Sequence, residues 1–222
     1  MAGVIDISQE YLMICFQVNN IPYYKFFLLK LNKHKNIKIF HMLQKLCSNY
    51  IRNNGSFMEI KSLTKDDIKN QALVHSLSFR KAYKGIIPDS FLDNFTIEKR
   101  EKYFTDNYEK YKDTFTIKEH ETLIGFSTIG KNRDNDKGDS VGEVWGIYIH
   151  SDYWGKRYGS RLFDFVISEL KKRGYKEITL WVLEKNQKAR TFYEKKGFLF
   201  DGTKREINLG EKLIEIRYSL PI

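Results

Sequence analysis

At 222 residues the chain has room for one domain with an extension or for a small pair, and its 41% hydrophobic and 30% charged residues are ordinary for a soluble globular protein. The formal net charge of +10 raises nucleic acid as a partner, yet no run of Lys and Arg interleaved with aromatics builds a groove for RNA or DNA, so the excess reads as a solvated surface. Two cysteines, Cys15 and Cys47, lie without metal-ligand spacing around them, which speaks against a zinc module and for a reducing, cytoplasmic compartment.

Residues 1–57 differ in composition from the rest of the chain and carry seven basic and two acidic side chains, half of the net positive charge. From Tyr11 to Leu31 the chain is largely apolar, but Asn19, Asn20, Pro22 and Lys25 interrupt the run that a membrane helix needs. Asp6 and Glu10 stand where a signal peptide would be positive, so neither a membrane span nor a secretion signal is expected. A helix fits Ile37 to Tyr50, and Asn53-Asn54-Gly55 is a turn.

From Met58 the pattern is regular. Met58 to Leu63 reads as a strand, and Thr64 followed by Asp66 and Asp67 is a helix start, with the helix running to about Lys81. Tyr83 to Asp89 is a loop, and shorter helices cross Phe91 to Lys110. Phe115 to Lys118 and Thr122 to Ile129 form a hairpin, and Gly130 to Ser140 is expected to be a flexible polar excursion.

The stretch from Gly142 to Leu170 carries the first chemical signal. Val144, Trp145, Ile147, Tyr148 and Ile149 form a strand. A turn comes next, Trp154-Gly155-Lys156-Arg157-Tyr158-Gly159-Ser160, and then Leu162, Phe163, Val166, Ile167 and Leu170 recur at helical spacing. Strand, glycine-containing turn and helix make an anion site, because the first helical turn presents N–H groups without partners at the positive end of its dipole. Glu177 to Val182 is a buried strand and Gln187 to Lys195 a helix. Phe198 to Asp201 and Leu213 to Tyr218 are closing strands.

Taken together, the turn and the later stretch Asn186, Ala189, Tyr193, Gly197 and Phe198 resemble the GCN5-related N-acetyltransferase (GNAT) family. That family's cofactor loop reads Gln/Arg-x-x-Gly-x-Gly/Ala, and many members carry a later Asn-x-x-Ala-x-x-x-Tyr-x-x-x-Gly-Phe. The later motif is intact here. In the loop Trp154 takes the Gln/Arg place and Arg157 the first Gly, and only Gly159 is kept. The likeness covers roughly residues 58 to 222.

The resemblance implies an α/β fold in which a mixed, mostly antiparallel sheet has two splayed central parallel strands and flanking helices. Acetyl-CoA is the implied co-substrate, with no metal. Its pantetheine would pair with the backbone of Ile147, Tyr148 and Ile149, its pyrophosphate would lie on the N–H groups from Trp154 through Gly155, Lys156, Arg157, Tyr158 and Gly159 to Ser160, and Asn186 would meet the pantetheine amides or simply cap its helix. Transfer to an amine needs a base to deprotonate the ammonium and an acid for the departing thiolate. The resemblance assigns these to Glu143 and Tyr193.

The expected acceptor is a small primary amine, met in a pocket lined by the loops Tyr83 to Phe91 and Asp201 to Lys212. Acetylation of a protein N-terminus, a catalytically silent acyl-CoA sensor and a basic RNA-associated module are the alternatives, and a homodimer stays open. Residues 58–222 form the expected acetyltransferase domain. Residues 1–57 are expected to be dispensable, even untranslated: the codons of Gly55 and Ser56 fit a purine-rich bacterial ribosome-binding site ahead of Met58. The rival is a genuine extension that packs its apolar segment on the domain or on a membrane surface.

Overall fold

The computed structural model describes residues 58–222 throughout and, before them, the backbone of three strands. These are β1 (Val4–Ser8), β2 (Tyr11–Gln17) and β3 (Tyr24–Lys30), an antiparallel sheet in that order. The apolar span from Tyr11 onward is therefore two strands, separated where Asn19, Asn20 and Pro22 break the run. The helix expected over Ile37 to Tyr50 lies outside the described residues. The chain divides into two units, Met1–Phe57 and Met58–Ile222. Among the described residues no helix is long and apolar enough to cross a membrane.

The second unit is built on a seven-stranded sheet of β4 (Met58–Ser62), β5 (Thr114–Glu119), β6 (Thr122–Lys131), β7 (Val141–Ile149), β8 (Glu177–Leu183), β9 (Leu199–Asn208) and β10 (Lys212–Pro221). Their order is β4-β5-β6-β7-β8-β10-β9, and every neighbour is antiparallel except the parallel pair β7 and β8. Helices α1 (Ile68–Tyr83), α2 (Asp89–Asp93) and α3 (Ile97–Asp106) come after β4, α4 (Tyr158–Lys172) joins β7 to β8, and α5 (Gln187–Lys195) comes after β8. This is the mixed α/β architecture, with one parallel pair, that the sequence led us to expect.

Strand alternation sorts the core onto the two sheet faces. Ile178, Leu180 and Val182 of β8 join Leu162, Phe163, Val166 and Leu170 of α4 in one cluster. On the opposite face Ile68, Ala72 and Val74 of α1 meet Phe104 of α3 and Leu123 and Phe126 of β6. Thr64 and Asp67 start α1 reciprocally, as the sequence predicts. The Asp67 carboxylate accepts from the Thr64 N–H at 3.0 Å and hydroxyl at 2.9 Å, and also from Lys118 Nζ on β5 at 2.5 Å. The helix start is thereby bolted to the sheet.

Two expectations need correction. Gly130 to Ser140 is not a free excursion, because β6 runs on to Lys131 and the polar residues beyond it have partners on β8 and β10. Arg217 of β10, 2% exposed, donates to Asp134 at 3.1 Å, Asp136 at 2.6 and 2.7 Å, Asp201 at 2.6 Å and Thr203 at 2.9 Å. Lys137 reaches Glu177 at 2.6 Å. A polar segment reads as mobile when its counter-charges lie far along the chain. The closing strands are also longer than expected, since cross-strand pairs such as Arg205–Glu215 and Lys212–Glu206 hold a charged hairpin together where the sequence suggests a loop.

Acid stability depends on these pairs. Arg217 holds the Asp136 carboxyl down at about 2. For Asp67 and Asp201 burial pushes upward but is overruled, by Lys118 and Thr64 in one case and by Thr203 and Arg217 in the other, so both lie below the ordinary value. A depressed carboxyl stabilises the fold fully above its unfolded pKa of about 3.9 and ceases to do so as pH falls through its folded value. Melting temperatures should therefore hold down to about pH 5 and drop between there and about pH 2. Arg217→Met should cost about 3–5 kcal/mol in urea denaturation at neutral pH, because it takes the guanidinium from the largely buried Asp134 and Asp201 carboxylates. A loss under about 1 kcal/mol would show the network to be ornamental.

Candidate active site

Strands β7 and β8 are paired only at Val141↔Glu177, Gly142↔Ile178 and Glu143↔Thr179. Beyond that point they part. On the other edge of β7 the register against β6 slips between Ile129↔Val144 and Thr128↔Gly146, which leaves Trp145 as an extra residue, a β-bulge. A bulge bends its strand and sharpens its twist, and the extra residue here lies two positions after the last β7–β8 pair. The closed end of the fork is clamped, since Asn132 donates to the Thr179 hydroxyl at 2.5 Å and that hydroxyl donates to the Gly142 carbonyl at 3.3 Å. From Val144 onward, β7 has no strand partner on its β8 side.

The turn after β7 places a helix start beside this open edge. Arg161 makes the first backbone bond of α4, to Arg157 at 3.1 Å, so the N–H groups of Tyr158, Gly159 and Ser160 precede the helical ladder. Gly155 and Arg157 both have positive φ, +77° and +66°. Arg157, at the place of the first glycine in the resembled loop, thus takes a left-handed backbone and adds a cation, at a conformational cost that glycine would avoid. Trp154 donates its indole N–H to the Ile149 carbonyl at 2.7 Å and packs on the core, drawing the turn against the end of β7. Lys188 of α5 lies over the Trp154 ring at 4.2 Å and Lys156 over Tyr153 at 5.0 Å, so cations surround the turn. A polyphosphate fits this place on backbone and charge alike.

Glu143 is 1% exposed on the α1 face of the fork. Its carboxylate accepts from the Arg133 backbone N–H at 3.0 Å and from Arg133 Nε at 3.1 Å, with a further bond from Nη2. The Arg133 guanidinium lies over Trp145 at 4.8 Å, with its side chain 45% exposed. Arg133 escapes sequence reading because it sits in the segment that looks like a loose excursion.

Tyr193 of α5 packs on Phe163, Phe192 and Phe198. Three phenols share the fork, and each is pushed up first by burial and then by a neighbouring phenol: Tyr193 by Tyr148, Tyr148 by Tyr83, and Tyr83 by Tyr193. All three stay protonated at neutral pH. Asn186 caps α5, its Oδ1 accepting from the Ala189 N–H at 3.2 Å, and its side chain also hydrogen-bonds Tyr83. The structure therefore brings Tyr148, Asn186 and Tyr193 together, with Tyr83 as a neighbour the motifs do not mark. Glu143 lies at the closed end of the fork, and the residues from Trp154 to Ser160 gather at its open end.

Comparison with known proteins agrees with this geometry. The sequence profile of the acetyltransferase (GNAT) family matches residues 77–198, more than half of the chain. A protein of Bacillus subtilis strain 168 named as the uncharacterised N-acetyltransferase YuaI is 28% identical over 124 residues, covering 54% of this chain and 69% of that one. The structure of PaiA N-acetyltransferase from Thermoplasma acidophilum in complex with coenzyme A superposes with a TM-score of 0.57 at 22% identity, over 74% of this chain and 99% of that one. The ribosomal-protein-S18-alanine N-acetyltransferase from Escherichia coli does so with a TM-score of 0.54 at 24% identity, over 75% and 94%. These solved structures share the fold. The chain belongs to the acetyltransferase (GNAT) family.

Two substitutions probe the turn. Arg157→Gly removes strain and a cation together, so it should raise stability by about 1 kcal/mol while weakening coenzyme A binding and flattening its salt dependence. Gly159→Val starts from a Cβ that would meet only Ile149 Cγ1, at 3.4 Å, so the fold should tolerate it while the side chain obstructs a phosphate. Calorimetry with coenzyme A checks both, and unchanged affinity in Gly159→Val would place the anion site elsewhere.

Proposed function

We propose that this chain moves the acetyl group of acetyl-CoA to the primary amine of a small molecule, directly, within a ternary complex. The observation that carries the reading is the unpaired inner edge of β7 leading into the helix start at Tyr158–Ser160, a row of backbone groups ending at an anion site. Backbone groups of Ile147, Tyr148 and Ile149 would pair with the pantetheine, with the Ile149 carbonyl shared with Trp154, and the turn from Trp154 to Ser160 would hold the pyrophosphate. Asn186 would turn its remaining amide capacity to the pantetheine. Acetyl-CoA supplies an acyl group already activated as a thioester.

The residues then divide the proton work. Tyr193 holds a proton at Oη, and because the same dry surroundings raise the basicity of a departing thiolate, phenol and thiolate stay matched for its transfer. Glu143 is the base, acting through a water, since Arg133 already occupies its oxygens. Arg133 fixes the carboxylate in one orientation and neutralises it while the ammonium is still charged.

Free-thiol release from acetyl-CoA with a panel of amines tests the reading, and a silent acyl-CoA sensor would bind without releasing thiol. Tyr193→Phe should lower kcat on the order of a hundredfold with coenzyme A affinity unchanged. Glu143→Gln should flatten the rise of rate with pH, and an unaltered profile would take Glu143 out of the mechanism.

A further inference from the structure

We infer that the acceptor carries a carboxylate beside its amine, and that Arg100, His75 and Gln71 form the pocket that takes it. The inference rests on the acetyl-transfer reading for its amine and on the structure for its carboxylate. Gln71 and His75 stand one turn apart on α1, 0% and 8% exposed, and neither the Gln71 amide nor the two His75 ring nitrogens has a hydrogen-bond partner among the described residues. Buried polar groups without partners are rare because each gives up its hydration for nothing, so two on one helix face ask for a ligand.

Aromatic rings enclose the imidazole. The His75 ring lies 5.1 Å from Phe95, 5.4 Å from Phe104, 5.7 Å from Phe126 and 4.2 Å from Tyr148. Arg100 of α3 borders the same enclosure, its guanidinium carbon 4.8 Å from Phe95 and 5.3 Å from Phe104. Its Nε is buried without a partner, and no carboxylate pairs with it among the described residues, whereas Arg133, Arg205 and Arg217 all have one. Burial holds the His75 imidazole well below its ordinary value and Arg100 presses it further, so the ring is neutral and keeps one N–H to donate.

The enclosure thus offers a guanidinium fork, an imidazole N–H and an amide NH2 around one uncompensated positive charge. A water or a neutral amide would fill the hydrogen bonds and leave the charge, and a second cation would be repelled. A carboxylate answers both, with two oxygens in the plane of the fork. Tyr148 stands between this enclosure and the fork that it shares with Tyr193, so the carboxylate would sit about one ring's width from the reacting groups. That spacing suits an amino acid or another short amine that bears an acid group.

Amine pairs that differ only in the carboxylate decide the matter: phenylalanine and phenethylamine, tyrosine and tyramine, lysine and cadaverine. Thiol release should favour the carboxylated member at least tenfold in kcat/KM, and Arg100→Met should abolish that preference through KM while leaving the decarboxylated member as it was. Gln71→Met should raise KM for the carboxylated member and leave the melting temperature unchanged or higher, since it removes an unsatisfied group that a structural role would need. Equal turnover of both members, or an equal loss of both in Arg100→Met, would overturn the pocket and leave acetyl transfer standing. Turnover of neither would count against acetyl transfer to small amines. In that event calorimetry with coenzyme A present still reads the pocket: binding of the carboxylated member alone supports it, and binding of both or neither overturns it.

Discussion

The bulge at Trp145 is the constraint from which the rest of the second unit takes its purpose. A parallel pair in mid-sheet would normally zip to its end, and β7 and β8 have the apolar, β-branched residues to do so. The extra residue bends β7 away two positions after Glu143↔Thr179, and the sheet gives up the remaining hydrogen bonds between them. Those unmade bonds leave the edge of β7 that we propose for the pantetheine. Clamping by Asn132 and Thr179 keeps the loss local, so the fork opens in one direction only. The helix required by a parallel crossover then starts at the open end, and its first-turn N–H groups lie where a phosphate tail would emerge.

Charge in the unit is arranged by arginines on the α1 side of the sheet. Arg133 holds Glu143, Arg205 holds Glu215, and Arg217 gathers Asp134, Asp136 and Asp201. Indoles cover two of these arrangements, Trp145 beneath Arg133 and Trp181 beneath Arg205 at 3.9 Å. Buried ion pairs contribute modestly to net stability but fix geometry, because breaking one strands a charge. The segment between β6 and β7 is therefore tied to the sheet by its charges. Arg100 departs from this arrangement, and its lack of a counter-charge is what separates a recognition pocket from scaffolding.

Much of this was legible in the sequence wherever information is local. Helical spacing located α4 and α5, the Thr64–Asp67 pair marked the start of α1, and the intact Asn186-to-Phe198 motif pointed to the family whose fold the structure shows. Arg157 was readable as a departure from that family's loop, although only the backbone shows that it takes a left-handed conformation. What stayed hidden depends on residues far apart in the chain. A bulge is a relation between two strands, and Trp145 alone looks like any strand residue. Asp134 and Asp136 reveal their role only beside Arg217, and the isolation of His75 and Arg100 is a property of everything around them.

Amide hydrogen exchange along β7, with and without acetyl-CoA, tests the central claim most directly. If the open fork is the cofactor site, amides between Val144 and Ile149 on the β8 side should exchange readily in the free protein and become protected when acetyl-CoA binds, together with those of Tyr158 to Ser160. Protection that appears elsewhere, or a β7 edge already protected without ligand, would contradict the account.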